Sequence, residues 1–182
     1  MNRSFAQCLL SRRSIRRFTA ASVSRDTIRT LLEQAILAPS ASNLQPWRFI
    51  VVDERELVQK IRSFSPGIGG EPPCLIVCCL DLNLLPKGSD GEPCADNGIL
   101  DLAMAAENFM LAAVEQGLGT CVIRSFHPKL VKRILHLPEN ISPEFLLTLG
   151  YPDCIPRMPR RRPVEEITTY NAWEVETSEA GF

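Results

Sequence analysis

With 182 residues, 45% of them apolar and 23% charged, the chain has the size of one ordinary domain and too many core-forming side chains for disorder; at this length folding buries about 70% of the unfolded chain's surface. Twenty Lys and Arg against 21 Asp and Glu leave a formal charge of −1, so no global field draws the chain to nucleic acid or a membrane, and any anion site must be local. Seven cysteines, an odd number without a C-x-x-C pair, and two histidines argue against a disulfide framework or a zinc site and fit a reducing compartment.

The first 25 residues carry six arginines and five serines, with no acid before Asp26. That composition is shared with mitochondrial transit peptides, and SRRSI matches part of a twin-arginine signal, but the polar FTAASVSRDT that follows is no export h-region. Phe5 to Leu10 is expected to form a short helix, after which come Arg12, Arg13, Ser14, Ile15, Arg16 and Arg17. Ser24 reads as an N-cap, with Asp26 in the first turn and Ile28, Leu31, Leu32, Ala35 and Ile36 on one face, which predicts a helix ending near Pro39. PSASNLQP, two prolines around Ser and Asn, reads as a loop. Trp47 to Val52 follows as a strand, Glu54 to Arg62 as a short helix, and Cys74 to Asp81 as a strand buried on both faces. Its cysteines, Cys74, Cys78 and Cys79, are expected to behave as small core hydrophobes.

Residues 64–73 and 82–95 hold much of the chain's glycine without apolar periodicity and read as loops. From about Asp96 to Gln116 the pattern is helical, with Asn97, Asp101, Asn108 and Glu115 on one stripe and apolar residues nearly everywhere else. Such a helix must be covered on several sides. A second subunit supplies that cover most simply, with a central helix in a three-layer monomer as the alternative. Thr120 to Arg124 predicts a strand, His127-Pro128 opens a helix carrying Leu130, Val131, Ile134 and Leu135, and Phe145 to Leu149 predicts a last strand. Beyond it lie IPRMPRRRP and the tail VEEITTYNAWEV, so the expected organisation is one domain over 1–182 whose tail, about 157–182, docks on a partner subunit. The longest apolar stretch, Ile99 to Val114, contains three polar residues (Asp101, Glu107, Asn108) and falls short of the roughly 20 residues of a bilayer span. A cytoplasmic protein without membrane or nucleic-acid partners is expected.

Two arginine clusters, Arg12/Arg13/Arg16/Arg17 and Arg157/Arg160/Arg161/Arg162, stand out in a chain without overall positive charge. Guanidinium forks match phosphate oxygens, so a phosphate site and a solvated surface are the two readings the charges leave open. No P-loop, G-x-G-x-x-G, G-x-S-x-G or H-E-x-x-H is present, and His127 and His136 sit where capping or surface roles are expected. No acid–base constellation assembles, which leaves bond-making to a cofactor if the chain is an enzyme.

SRRSIRRF, APSASNLQPWRFIVV, a central helix running into GLGTCVIRSF, then LTLGYP and RRRPVEEI occur in that order over nearly the whole chain. In these motifs the chain resembles the FMN-dependent nitroreductases, particularly their short members. The resemblance implies an α+β, three-layer fold with a mainly antiparallel sheet flanked by helices, assembled as an intertwined homodimer with FMN at the interface. By motif position, it implies that Arg12, Arg13, Ser14 and Arg16 hold the phosphate, ribityl chain and pyrimidine edge, with Arg160 and Arg161 completing the phosphate site. Pro39, Ser40 and Asn43 would approach the flavin from the other subunit, and the amides of Arg124 and Ser125 would face flavin N5 and O4.

The implied activity is ping-pong: NADH or NADPH gives hydride to flavin N5, then a small-molecule acceptor, a nitroaromatic or quinone, takes it over the same face. Reductive dehalogenation, enone reduction or a non-catalytic flavin-binding regulator are the alternatives on this scaffold. Three departures from larger relatives stand out. Phe64 to Pro73 has no Lys or Arg, leaving Arg16 alone near flavin N1 and O2; Arg124 puts a cation by the pocket; and there is no long helical lid insertion.

Overall fold

In the computed structural model, residues 3–89 and 91–173 are described. Helix α1 (Phe5–Ser11) starts at a capping box in which Ser4 Oγ accepts from the Gln7 amide and Gln7 Oε1 accepts from the Ser4 amide. Helix α2 (Arg25–Ala35) is capped by Ser24 and buries Ile28, Leu31 and Ala35. It stops four residues short of Pro39, the chain between being a turn. Strand β1 (Trp47–Val52), helix α3 (Arg55–Arg62) and strand β2 (Cys74–Asp81) follow, with a short 3-10 turn at Leu82–Leu84 where a loop is expected from the sequence. Helix α4 (Ala95–Glu115) leads into strand β3 (Gly119–Ile123), and Arg124 lies just past that strand rather than inside it. Helix α5 (Pro128–Ile134) has His127 as N-cap, its Nδ1 accepting from the Leu130 amide.

Strand β4 (Ile141–Gly150) begins four residues before the apolar run that marks it in the sequence. Pro143 and the polar Ser142 and Glu144 disguise its first half. They are tolerated because β3 reaches only as far as Leu146, which leaves residues 141–145 paired on one side. A register shift between Cys78 and Cys79, which face Phe145 and Pro143, makes Glu144 the extra residue of a bulge.

The four strands form one antiparallel sheet in the order β1-β2-β4-β3. Alternation along β2 divides its apolar residues between two layers. Cys74, Ile76, Cys78 and Leu80 join Phe145, Leu147 and Leu149 under α2 and α4, where Leu31, Leu102 and Phe109 are fully buried. Leu75, Val77 and Cys79 join Leu146, Cys121 and Ile123 under α3 and α5. The result is the α+β three-layer arrangement that the family resemblance implies. Each fully buried aliphatic or aromatic side chain contributes about 1.5–3 kcal/mol through removal from water.

The β2 cysteines lie in this core, and all seven are free. Burial pushes the Cys74 and Cys79 thiols up to about 12 and that of Cys78 well above its ordinary value, so they are inert toward thiolate chemistry. Among the described residues no helix is long and apolar enough to cross a membrane, and no cluster of three metal-ligating side chains forms.

Candidate functional site

β3 is an edge strand, and its free side is occupied by the first arginine segment. The Ile15 amide donates to the Thr120 carbonyl at 2.8 Å, within a parallel bridge between Ser14 and Thr120. Ile15 points inward and is 3% exposed, which turns its neighbours Ser14 and Arg16 outward. The GLGT sequence serves this contact: a Cβ on Gly119 would lie 2.5 Å from Ile15 Cγ1, so only glycine lets the segment lie this close. On the far side, Thr19 donates to Tyr151, Asp153 donates to the Arg17 carbonyl, and Arg17 pairs with the Asp153 carboxylate at 2.9 Å. These tethers set the start of the Pro/Arg-rich segment beside the first cluster.

Between the two segments lies a cavity of about 380 Å³ lined by Arg12, Arg13, Ser14 and Arg16 on one side and by Arg157 and Arg161 on the other. Arg160, expected at the phosphate, does not line it; Arg157 does. The irregular backbone of this stretch has no period from which that choice could be read.

Arg13 Nη1 donates to the carbonyls of Leu10 and Arg12, both at 2.7 Å, closing the end of α1, and its buried Nε has no partner among the described residues. Arg12 Nε lies 3.6 Å from Glu107 of α4. Burial raises the Glu107 pKa above the ordinary carboxyl value, partly opposed by the charge of Arg12. Five guanidinium groups thus converge with one ion pair to a described acid among them. Such an arrangement selects an anion carrying more than one charge.

A glycine-containing loop joins this cavity to the end of β3. Gly70 has φ +67, and a Cβ there would fall 2.3 Å from the Arg16 carbonyl oxygen. Gly67 donates to the Ser125 carbonyl at 3.1 Å, and His127 donates to Phe64. Arg16 and Ser125 are therefore held by one loop, with Arg124 exposed next to Ser125.

Pro39, Ser40 and Asn43 do not line the arginine cavity. They belong to a separate turn, a 3-10 element at Ala41–Asn43, beside α4. Its backbone is fixed by Ser40 Oγ accepting from the Gln45 amide at 3.0 Å and by the buried Asp101 of α4, whose two oxygens accept from the Ala41 amide at 3.2 Å. The sequence signal for Asp101 was a polar residue in an otherwise apolar helix, which marks a position as unusual without naming its partner 60 residues away.

The nitroreductase family profile matches residues 9–66 and 66–151. An Archaeoglobus fulgidus protein, provisionally named NADH dehydrogenase/NAD(P)H nitroreductase, is 37% identical over 79% of this chain and 83% of its own length. A Bacillus subtilis protein named FMN reductase (NADPH) is 30% identical over 91% of this chain and 74% of its own. The crystal structure of a nitroreductase family protein from Clostridium difficile superposes with a TM-score of 0.82 at 28% identity, covering 94% of this chain and all of the other. The profile spans the first arginine segment, the turn and the central helix, and the relatives and the fold agree with it: the chain belongs to the nitroreductase family.

Proposed function

We propose that the chain is an FMN-dependent oxidoreductase that uses NADH or NADPH to reduce nitroaromatic or quinone-type acceptors in two half-reactions at one site. Family membership makes it an oxidoreductase. The observation that carries the flavin reading is the cavity of five arginines and Ser14, with one buried guanidinium nitrogen that has no partner among the described residues. That donor set fits the phosphate of FMN, a dianion whose oxygens can take several charge-assisted bonds at once. The relative named FMN reductase (NADPH) supports the same choice.

When bound, FMN supplies the hydride-accepting and hydride-donating chemistry between the nicotinamide and the acceptor. The chain's own residues bind, orient and tune. Arg12, Arg13, Arg157 and Arg161 neutralise the phosphate, and Ser14 offers a hydroxyl to the ribityl chain. Arg16 places positive charge beside the ring edge where reduction accumulates negative charge, and the backbone amides of Arg124 and Ser125 offer donors to the ring. Pro39, Ser40 and Asn43, which do not line the arginine cavity of their own chain, act on the flavin of a second subunit.

That second subunit is proposed on the apolar surface one protomer leaves open. Phe5 and Leu10 of α1, Leu37 after α2 and Leu100 of α4 are 71, 60, 78 and 63% exposed. In the tail Val164, Ile167, Tyr170 and Trp173 are all exposed. So many large apolar side chains exceed the scattered exposure of a monomer. A homodimer covers them and brings the turn of one chain to the arginines of the other.

Arg12→Ala and Arg161→Ala test the site. Each removes a charge-assisted bond worth roughly 1.5–3 kcal/mol, so FMN should bind about tenfold to a hundredfold more weakly by fluorescence titration. Wild-type affinity in both variants would show that the phosphate lies elsewhere.

A further inference from the structure

Asp101 is 5% exposed on a helix that otherwise packs apolar residues against the sheet. Among the described residues no cation pairs with it. A buried carboxylate is costly unless well satisfied, and both oxygens of this one accept the same donor, the Ala41 amide, at 3.2 Å. Stability alone favours an apolar residue at this place, so its role lies in what it holds.

It holds a strained turn. Ser42, Asn43 and Gln45 have φ of 50, 57 and 49°, three non-glycine residues in the left-handed region within four positions, a conformation that L side chains disfavour. The other hydrogen bonds of residues 39–45 are local, from the Asn43 amide to the Ser40 carbonyl, the Leu44 amide to the Ala41 carbonyl, the Gln45 amide to Ser40 Oγ, and the Gln45 side chain to the Asn43 carbonyl. Among the described residues, the bond to Asp101 is the one that ties this stretch to another element.

We infer that Asp101 is a positioning residue: its carboxylate anchors the left-handed turn to α4 and so presents Ser40 and Asn43 to the flavin in one fixed orientation. The inference rests on the reading that this turn meets FMN. It also specifies how substitutions should behave. Asparagine keeps an oxygen that accepts the Ala41 amide, and alanine does not. Ala41→Pro deletes the donor from the exposed end without opening a hole in α4. Ser40, at φ −142 and ψ 153, already has the extended backbone required before proline, and the first position of a helical turn tolerates the missing N–H.

The test is FMN titration, with the visible absorption and circular dichroism of bound flavin, on the full-length wild type, Asp101→Asn, Asp101→Ala, Ala41→Pro and the Asp101→Ala/Ala41→Pro double variant. Asp101→Asn should stay within about threefold of wild-type affinity. Asp101→Ala and Ala41→Pro should each weaken FMN binding roughly tenfold and move the bound-flavin spectrum toward that of free FMN, and the double variant should be no worse than the weaker single one, since both delete the same bond. If Asp101→Ala does not fold, Ala41→Pro makes the same comparison. Variants that melt earlier yet keep wild-type FMN affinity and spectrum would reduce Asp101 to a structural residue and overturn the inference. A wild type that binds no FMN would overturn the functional reading as well.

Discussion

Arg12 stands between two anions, the Glu107 carboxylate 3.6 Å away in the protein and the phosphate it is proposed to bind. Burial raises the Glu107 pKa, so the folded state holds this proton more tightly than the unfolded chain does. The group's contribution to stability is therefore fully present below the ordinary carboxyl range, about pH 4.3, and is lost as pH rises through the raised value. Glu107→Gln removes that dependence and frees Arg12. Thermal melts from pH 4 to 8 should show the variant gaining on wild type as pH rises, with FMN binding at pH 7 at least as tight; parallel melting curves or weaker FMN binding would contradict this.

Arg124 is exposed beside Ser125 and has no ion pair to a described residue. If its charge faces the acceptor, Arg124→Gly should lower kcat/KM for an anionic nitrobenzoate about fivefold more than for neutral nitrobenzene, as expected of roughly 1 kcal/mol of Coulomb attraction. Equal losses would leave Arg124 contributing only its backbone. At this scale the sequence showed which charges cluster but not which of them meet. Arg157 rather than Arg160 lines the cavity with Arg12, because the turns of an irregular proline-rich segment decide it.

The elements were legible wherever periodicity or caps are strong. Ser24, His127-Pro128 and the alternating or continuous apolar runs mark α2, α5, β1 and β2 closely. The start of β4 was hidden because Pro143 is normally a strand breaker, and only the one-sided pairing of that stretch makes it acceptable. GLGT read as a helix end entering a strand, which it is, but its packing against Ile15 depends on a segment more than 100 residues earlier. Gly119→Ala places a Cβ 2.5 to 2.9 Å from three Ile15 side-chain carbons. Ile15 is buried and hydrogen-bonded to Thr120, so the arginine segment must move. The expected cost is about 1–3 kcal/mol in chemical denaturation, with weaker FMN binding in parallel. Unchanged stability and affinity would show that this segment is not seated by the glycine.

For the whole molecule, three layers around one antiparallel sheet explain how a chain of near-zero net charge concentrates five arginines at one edge. The central helix α4 connects the two candidate regions, with Asp101 holding the turn and Glu107 meeting Arg12. One protomer covers most of α4, as the alternative of a three-layer monomer requires, yet leaves Leu100 and Met104 open. The proposed dimer accounts for that remainder. This edge is proposed to hold FMN as a redox cofactor. The direct measurement is an anaerobic titration of the purified, FMN-loaded protein with NADH and with NADPH, followed by flavin absorbance near 450 nm and then by addition of a quinone or nitroaromatic. The protein should be yellow, one or both nucleotides should bleach it, and the acceptor should restore the colour. A colourless protein that takes up no FMN, or bound flavin that neither nucleotide reduces, would contradict it.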